Sequence, residues 1–249
     1  MTVAVATGVV DGYEARARFA RAETDMVPSP RLLRGLLRTA EQVAEVPCGA
    51  GHFLADYAAT GVETTLIDGN GAMLAAAIEH AAAVELLADR IHAHVGYLQQ
   101  LGQLVDVDLV VMPNAALNQL ASQTPPVELL TVICRALSPG VELLGQVACT
   151  HPGGGVDTAG CYDPSRAGGA VLRRRRQHHE VDGAQVRVEF DYVDPAGVSL
   201  HATAVELRVF SADELAAIFT TAGFSHMRFL PGHGGLSEVL AQAGGCDLR

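Results

Sequence analysis

The chain has 249 residues, 49% of them hydrophobic and 18% charged, with a formal net charge of −11. That length holds one domain with a full core, and low charge with high apolar content excludes a disordered chain. The acidic balance argues against non-specific binding to nucleic acid or to anionic membranes.

Residues 11–22 read as a polar helix. Ser29-Pro30 is expected to open a second helix, Ser as its cap and Pro in its first turn. Leu32, Leu33, Leu36 and Leu37 form that helix's apolar face. From about 41 to 149, short apolar strands (42–46, 64–67, 90–95, 107–112, 141–148) alternate with helical segments (52–60, 72–83, 127–137). VDLVVM (107–112) is a continuous apolar run, the pattern of a strand buried on both faces. The alternation predicts a parallel sheet covered by helices on both sides. Between about 168 and 210 the period becomes two, in VRVEFDYV (186–193) and SLHATAVELRVF (199–210). Asp182-Gly183 and Asp194-Pro195-Ala196-Gly197 read as turns. The segment is expected to be an antiparallel insertion of two or three strands. With Asp182-Gly183 as the turn, Arg176 faces Glu189 and Arg174 faces Asp191. Arg175 and His179 then point toward the apolar layer of Val186, Val188, Phe190 and Tyr192. Ser211 opens a capped helix that ends at Ala222-Gly223, and 224–230 and 236–241 are closing strands.

All 17 basic residues are arginine, as coding in a GC-rich bacterial genome produces. The five cysteines, Cys48, Cys134, Cys149, Cys161 and Cys246, are odd in number and show no CxxC spacing. Neither a zinc site nor a disulfide framework is expected, and a reducing cytoplasm is. His92-x-His94 shares one strand face but has no third ligand spaced to complete a site, so no metal is expected. The start lacks a signal-peptide pattern, and no run approaches the roughly 18 apolar residues of a membrane span.

The chemistry concentrates in Glu45-Val46-Pro47-Cys48-Gly49-Ala50-Gly51-His52-Phe53. This segment leaves a strand, turns through glycines and enters a helix. Glycines let a ligand approach the backbone, and a helix start offers free N–H groups. Asp68 closes the next strand, where a carboxylate accepts both hydroxyls of a ribose. A dinucleotide fingerprint needs a third glycine, and Leu54 stands there.

At these residues the chain resembles the class I S-adenosylmethionine-dependent methyltransferases. Glu45, Pro47, Cys48, Gly49 and Gly51 stand at that family's first motif, with Pro47 in place of a glycine. IDGNGAML (67–74) is similar to its second motif and VDLVVMPNAALNQL (107–120) to its fourth. LSPGVELLGQV (137–147) and FSADELAAIFTTAGF (210–224) resemble its later elements. The family's third motif carries an acid for the adenine amine, and in ADRIHAHVGYL (88–98) Tyr97 takes that place.

The resemblance implies a Rossmann-like seven-stranded sheet with helices on both faces and an antiparallel insertion after strand five. It implies an N-terminal helical lid at 1–40 and a cofactor-binding domain at 41–249. The cofactor would be S-adenosyl-L-methionine, with S-adenosyl-L-homocysteine as its product. Glu45, Gly49 and Gly51, with Pro47 and Cys48 in their turn, would hold its methionine part. Asp68 would take the ribose, Gly69, Met73 and Tyr97 would border the adenine, and Tyr13 would close over it. Pro113 and Asn114 would line the methyl-transfer path.

On the substrate side, His151, His179 and Tyr162 are the candidate bases. Asn114, His151, Arg175 and His179 are the candidate substrate contacts, Arg175 for an acidic group. The expected substrate is a small molecule, a secondary metabolite or its precursor, methylated on N or O. No nucleic-acid or membrane partner is expected, and the 170–210 hairpin is the place for a homodimer contact. Two other readings stay open: a non-methylating reaction on the same cofactor, such as cyclisation, and a non-catalytic binding or scaffold protein.

Overall fold

A computed structural model of the chain describes residues 16, 17, 19, 24, 27–150, 162–167, 170–182, 184–194, 196, 198–232 and 236–244 (162–167, 170–182 and 190 by backbone). Five parallel strands form its centre: β1 (Gln42–Glu45), β2 (Glu63–Asp68), β3 (Ile91–Val95), β4 (Leu109–Met112) and β5 (Glu142–Thr150). The short β10 (Phe210–Ser211) pairs with the end of β5. β11 (Phe224–Pro231) and β12 (Leu236–Ala243) complete the order β11-β12-β5-β4-β1-β2-β3, and β12 runs antiparallel to both neighbours. The seven-stranded sheet expected from sequence is this one.

Side-chain alternation in β4 shows why the run 109–112 is apolar throughout. Val110 and Met112 enter one core layer with Leu129, Ile133, Leu215 and Phe219 of the helices Pro126–Ala136 and Ala212–Thr221. Leu109 and Val111 enter the other, with Leu54 and Tyr57 of the helix Leu54–Thr60 and Leu74 and Ala77 of the helix Gly71–Ala83. A strand between two helical layers has no polar face. The chain builds outward from β1 to β3, then returns to β4 on β1's other side. The carboxyl ends of β1 and β4 therefore flank the crevice where ligands of such sheets bind.

Two helix starts differ from expectation. The helix expected from Ser29 begins at Leu33, as Leu33–Leu36, because the Ser29 hydroxyl donates to the Asp56 carboxylate instead of capping. Leu33 and Leu37 are buried as the pattern requires. The second helix begins at Leu54, not His52, because the His52 N–H goes to Glu45. A helix at Ala116–Leu120 was not expected. Ser211 caps as expected, accepting the Glu214 N–H at 3.1 Å.

Among the described residues the antiparallel insertion has four strands where two or three were expected, the first from Tyr162. They are β6 (Tyr162–Ala167), β7 (Ala170–Asp182), β8 (Gln185–Val193) and β9 (Ser199–Arg208), paired in that order. The β7–β8 register differs by one residue from the expected one. Asp182 pairs with Gln185, and a bulge between Glu180 and Asp182 sets the rest. Arg175 stands opposite Asp191, His179 opposite Arg187, and Arg174 opposite Tyr192. A one-residue slip exchanges the faces of a strand. Arg175 and His179 are thus in register with the polar residues of β8, not with its apolar layer. No helix among the described residues is long and apolar enough to cross a membrane.

Candidate active site

The turn after β1 is built from backbone bonds. The Val46 N–H donates to the Val111 carbonyl at 2.9 Å and the Cys48 N–H to the Ile67 carbonyl at 2.8 Å, with the Val46–Pro47 peptide cis between them. Gly49 and Gly51 have φ of +54° and +77°, the left-handed region where glycine is at ease. A Cβ at Gly51 would also strike the Leu54 side chain. Cys48 serves through its backbone, because its side chain is fully buried in the core and burial pushes the thiol pKa well up.

Two buried carboxyl groups hold this turn. Glu45 is 0% exposed; its Oε1 accepts the His52 N–H at 3.0 Å and its Oε2 accepts the Tyr57 hydroxyl at 2.7 Å. Burial drives its pKa up to about 7, against the pull of those bonds. Asp68 Oδ2 accepts the Gly49 N–H and Oδ1 the Asn70 N–H, each at 2.8 Å. Burial raises its pKa too, opposed by these two N–H donors. An ionised carboxylate has about four acceptor sites, so Asp68 keeps capacity for hydroxyl donors.

Around Asp68 the site widens into an apolar edge. A Cβ at Gly69 would lie 2.8 Å from Cδ1 of Tyr97, so the tyrosine ring rests against the bare Gly69 backbone. Tyr97 thus brings an aromatic edge where an acid was sought. Met73 is buried against Ala50 and Ala17. Its N–H and that of Ala72 are capped by Asn70 Oδ1, both at 3.0 Å.

Across the crevice, β4 ends in Pro113 and Asn114. Asn114 and Ala115 have φ of +47° and +57°. The Asn114 N–H donates to Gln146 Oε1 and the Ala115 N–H to the Gln146 carbonyl, each at 3.0 Å. Behind them Asn118 binds Ala148 on β5 and the Arg208 carbonyl on β9.

The antiparallel sheet meets the N-terminal segment. Phe19 stacks on Tyr192 and on His201 with ring centroids 5.0 and 5.5 Å away, and Arg16 Nε donates to the Tyr192 hydroxyl at 3.2 Å. His201 Nε2 is buried without a hydrogen-bond partner among the described residues.

Of the sequence-predicted residues, Glu45, Pro47, Cys48, Gly49, Gly51, Asp68, Gly69, Met73 and Tyr97 cluster after β1, β2 and β3, and Pro113 and Asn114 after β4. Tyr162 starts β6, and Arg175 and His179 lie on β7 at the register positions given above. Tyr13 and His151 lie outside the described residues. Sequence reasoning missed Tyr57, Gln146 and Asn118, whose roles come from contacts distant in sequence. Asn70 was findable, since Asn before a helix is a capping signal. His92 Nε2 contacts Glu63 Oε1 at 2.7 Å.

Residues 43–140 match the family model described as a methyltransferase domain. No curated protein matches the chain in sequence. Among solved structures, the chain is similar to a SAM-bound amino pentose methyltransferase from Micromonospora echinaspora involved in calicheamicin biosynthesis. Identity is 21%, TM-score 0.65, covering 98% of this chain and 99% of that one. It is similar to DesVI of Streptomyces venezuelae (20%, TM-score 0.64, 96% and 99% covered). It is also similar to a sugar N-methyltransferase from Streptoalloteichus (20%, TM-score 0.65, 98% and 95% covered). Residues 43–140, which hold the glycine turn and both buried carboxyls, thus match a methyltransferase domain, and the chain as a whole shares the fold of these methyltransferase structures.

Proposed function

We propose that this chain transfers a methyl group from S-adenosylmethionine to a nitrogen or oxygen atom of a small molecule, a secondary metabolite or its precursor. The carrying observation is the pair Glu45 and Asp68, both buried, both bonded to the glycine turn and 23 residues apart at the ends of neighbouring parallel strands. Gly49 and Gly51 would admit the methionine part to the backbone beside Glu45. Asp68 would accept the ribose hydroxyls, and Tyr97, Gly69 and Met73 would border the adenine. Tyr13 would close over the cofactor, within the lid assigned to residues 1–40. Pro113 and Asn114 would face the methyl group.

The cofactor supplies an electrophilic methyl on a sulfonium. When bound, its methyl carbon would be open to the acceptor's lone pair, with the electrons of the broken carbon–sulfur bond left on sulfur. Positioning supplies much of the acceleration in such a displacement. A base for the acceptor's proton adds about 10²–10⁴-fold. His151, His179 and Tyr162 are its candidates, and Arg175 is the candidate contact for an acidic substrate group. Two similar structures are by name an amino pentose methyltransferase and a sugar N-methyltransferase, so an amino sugar is the first acceptor to offer. The net charge of −11 fits a small-molecule partner in the cytoplasm, and the 170–210 strands are the place for a homodimer contact.

Calorimetry with S-adenosylmethionine and its demethylated product, followed by mass analysis of nucleotide-linked amino sugars incubated with enzyme, tests the reading. Micromolar binding and a methyl-sized mass gain are expected. Absence of binding would sink it.

A further inference from the structure

The turn after β4 contains two successive non-glycine residues in the left-handed region, Asn114 and Ala115. Asparagine visits that region with modest cost, but alanine has no side chain to compensate for it. Such backbone persists only where its surroundings over-determine it, typically at a ligand site. Here one residue provides the surroundings. Gln146 takes the Asn114 N–H on its side-chain oxygen and the Ala115 N–H on its main-chain oxygen.

The same side chain has a second task. Its Nε2 donates to the Pro28 carbonyl at 3.1 Å. Its cross-strand partner on β12 is Glu238, whose carboxylate accepts the N–H groups of Arg31 and Leu32 at 2.7 and 3.3 Å. Both side chains are buried. Upstream of Pro28, Ala17 packs on Ala50 and Met73, and Phe19 packs on Tyr192. The tethered segment therefore leads to both the cofactor turn and the antiparallel sheet.

We propose that Gln146 is a positioning residue, one amide that sets the strained turn on the acceptor side of the crevice and docks the N-terminal segment beside it. Its carboxamide is suited to this because it accepts at one atom and donates at the other. The proposal rests on the function given above only for the name of the crevice's acceptor side.

Two variants of the full chain separate the two tasks. Gln146→Glu keeps an acceptor for Asn114 but has no donor for Pro28 and sets a second carboxylate opposite Glu238. Gln146→Met keeps the volume and loses both bonds. Hydrogen exchange with S-adenosylhomocysteine present should show Gln146→Glu exchanging about tenfold faster at 27–34 with 113–118 unchanged. Gln146→Met should accelerate both segments. With an amino sugar that the wild type methylates, kcat should fall about tenfold in Gln146→Met while KM for S-adenosylmethionine stays within about threefold. Wild-type exchange in both segments, or equal acceleration across the whole sheet, would overturn the proposal. Failure of the wild type to bind S-adenosylhomocysteine would sink the methyltransferase reading and leave the exchange result intact.

Discussion

The hydroxyl of Tyr57 donates to Glu45 Oε2 over 2.7 Å, with both side chains wholly buried. A buried carboxyl held this way depends on its donors, since losing one leaves a desolvated oxygen unpaired at a cost of roughly 1–3 kcal/mol. Tyr57→Phe is therefore expected to lower unfolding free energy by that order in denaturant titrations. It should also weaken S-adenosylmethionine binding about tenfold, because less of Glu45 is ionised and its carboxylate is free to turn.

Glu45 also predicts a pH dependence. Its pKa is raised from the ordinary 4.5 to about 7, chiefly by burial. Between those values the folded chain holds a proton that the unfolded chain has lost. This group's contribution to stability is full below about pH 4.5 and is lost as pH rises through about 7. Glu45→Gln should flatten that part of the Tm profile. A cationic ligand at Glu45 favours the ionised form, so binding S-adenosylmethionine near pH 6.5 should release a proton. Calorimetry in buffers of different ionisation heat measures that release. Binding with no proton change would place the ammonium group elsewhere.

Gly69 and Tyr97 form a testable pair. The approach of 2.8 Å between a Cβ at Gly69 and the tyrosine ring means that Gly69→Ala must push the ring aside. Cofactor affinity should fall about tenfold with little loss of stability. In the Tyr97→Ala background the same change should cost about twofold or less. A double-mutant cycle in binding free energy reads this coupling; additive losses would mean that the ring plays no part.

Asn118 joins three segments through its side chain. Nδ2 donates to the Ala148 and Arg208 carbonyls at 2.8 and 2.7 Å, and Oδ1 accepts the Ala148 N–H at 2.9 Å. Asn118→Leu leaves buried backbone groups without those partners and should cost on the order of 3 kcal/mol in urea unfolding. Proteolysis near 200–210 should accelerate, since β9 loses its tie to β5.

The parallel core was legible because β4 and its neighbours carry patterns that only a doubly covered strand needs. The glycine turn and Asp68 were legible because a strand–turn–helix unit with left-handed positions and a carboxylate-held N–H needs fixed residue types at fixed points. Gln146 was not, because nothing local marks it. Its partners, Pro28 and Asn114, are 118 and 32 residues away. The β7–β8 register failed for a sharper reason. Asp182 pairs with Gln185, so the turn lies one residue beyond the expected one, and the bulge between Glu180 and Asp182, which has no side-chain signature, then moves every pair farther along by one. Arg175 and His179 changed faces through that single extra residue.

The clamp on residues 28–32 has a bearing on biosynthesis. Glu238 reaches its place only when β12 inserts between β5 and β11. On the ribosome, β1 to β5 emerge long before that strand exists. A nascent chain can assemble the glycine turn with Asp68, yet residues 28–32 lack half of their mooring until Glu238 has been made.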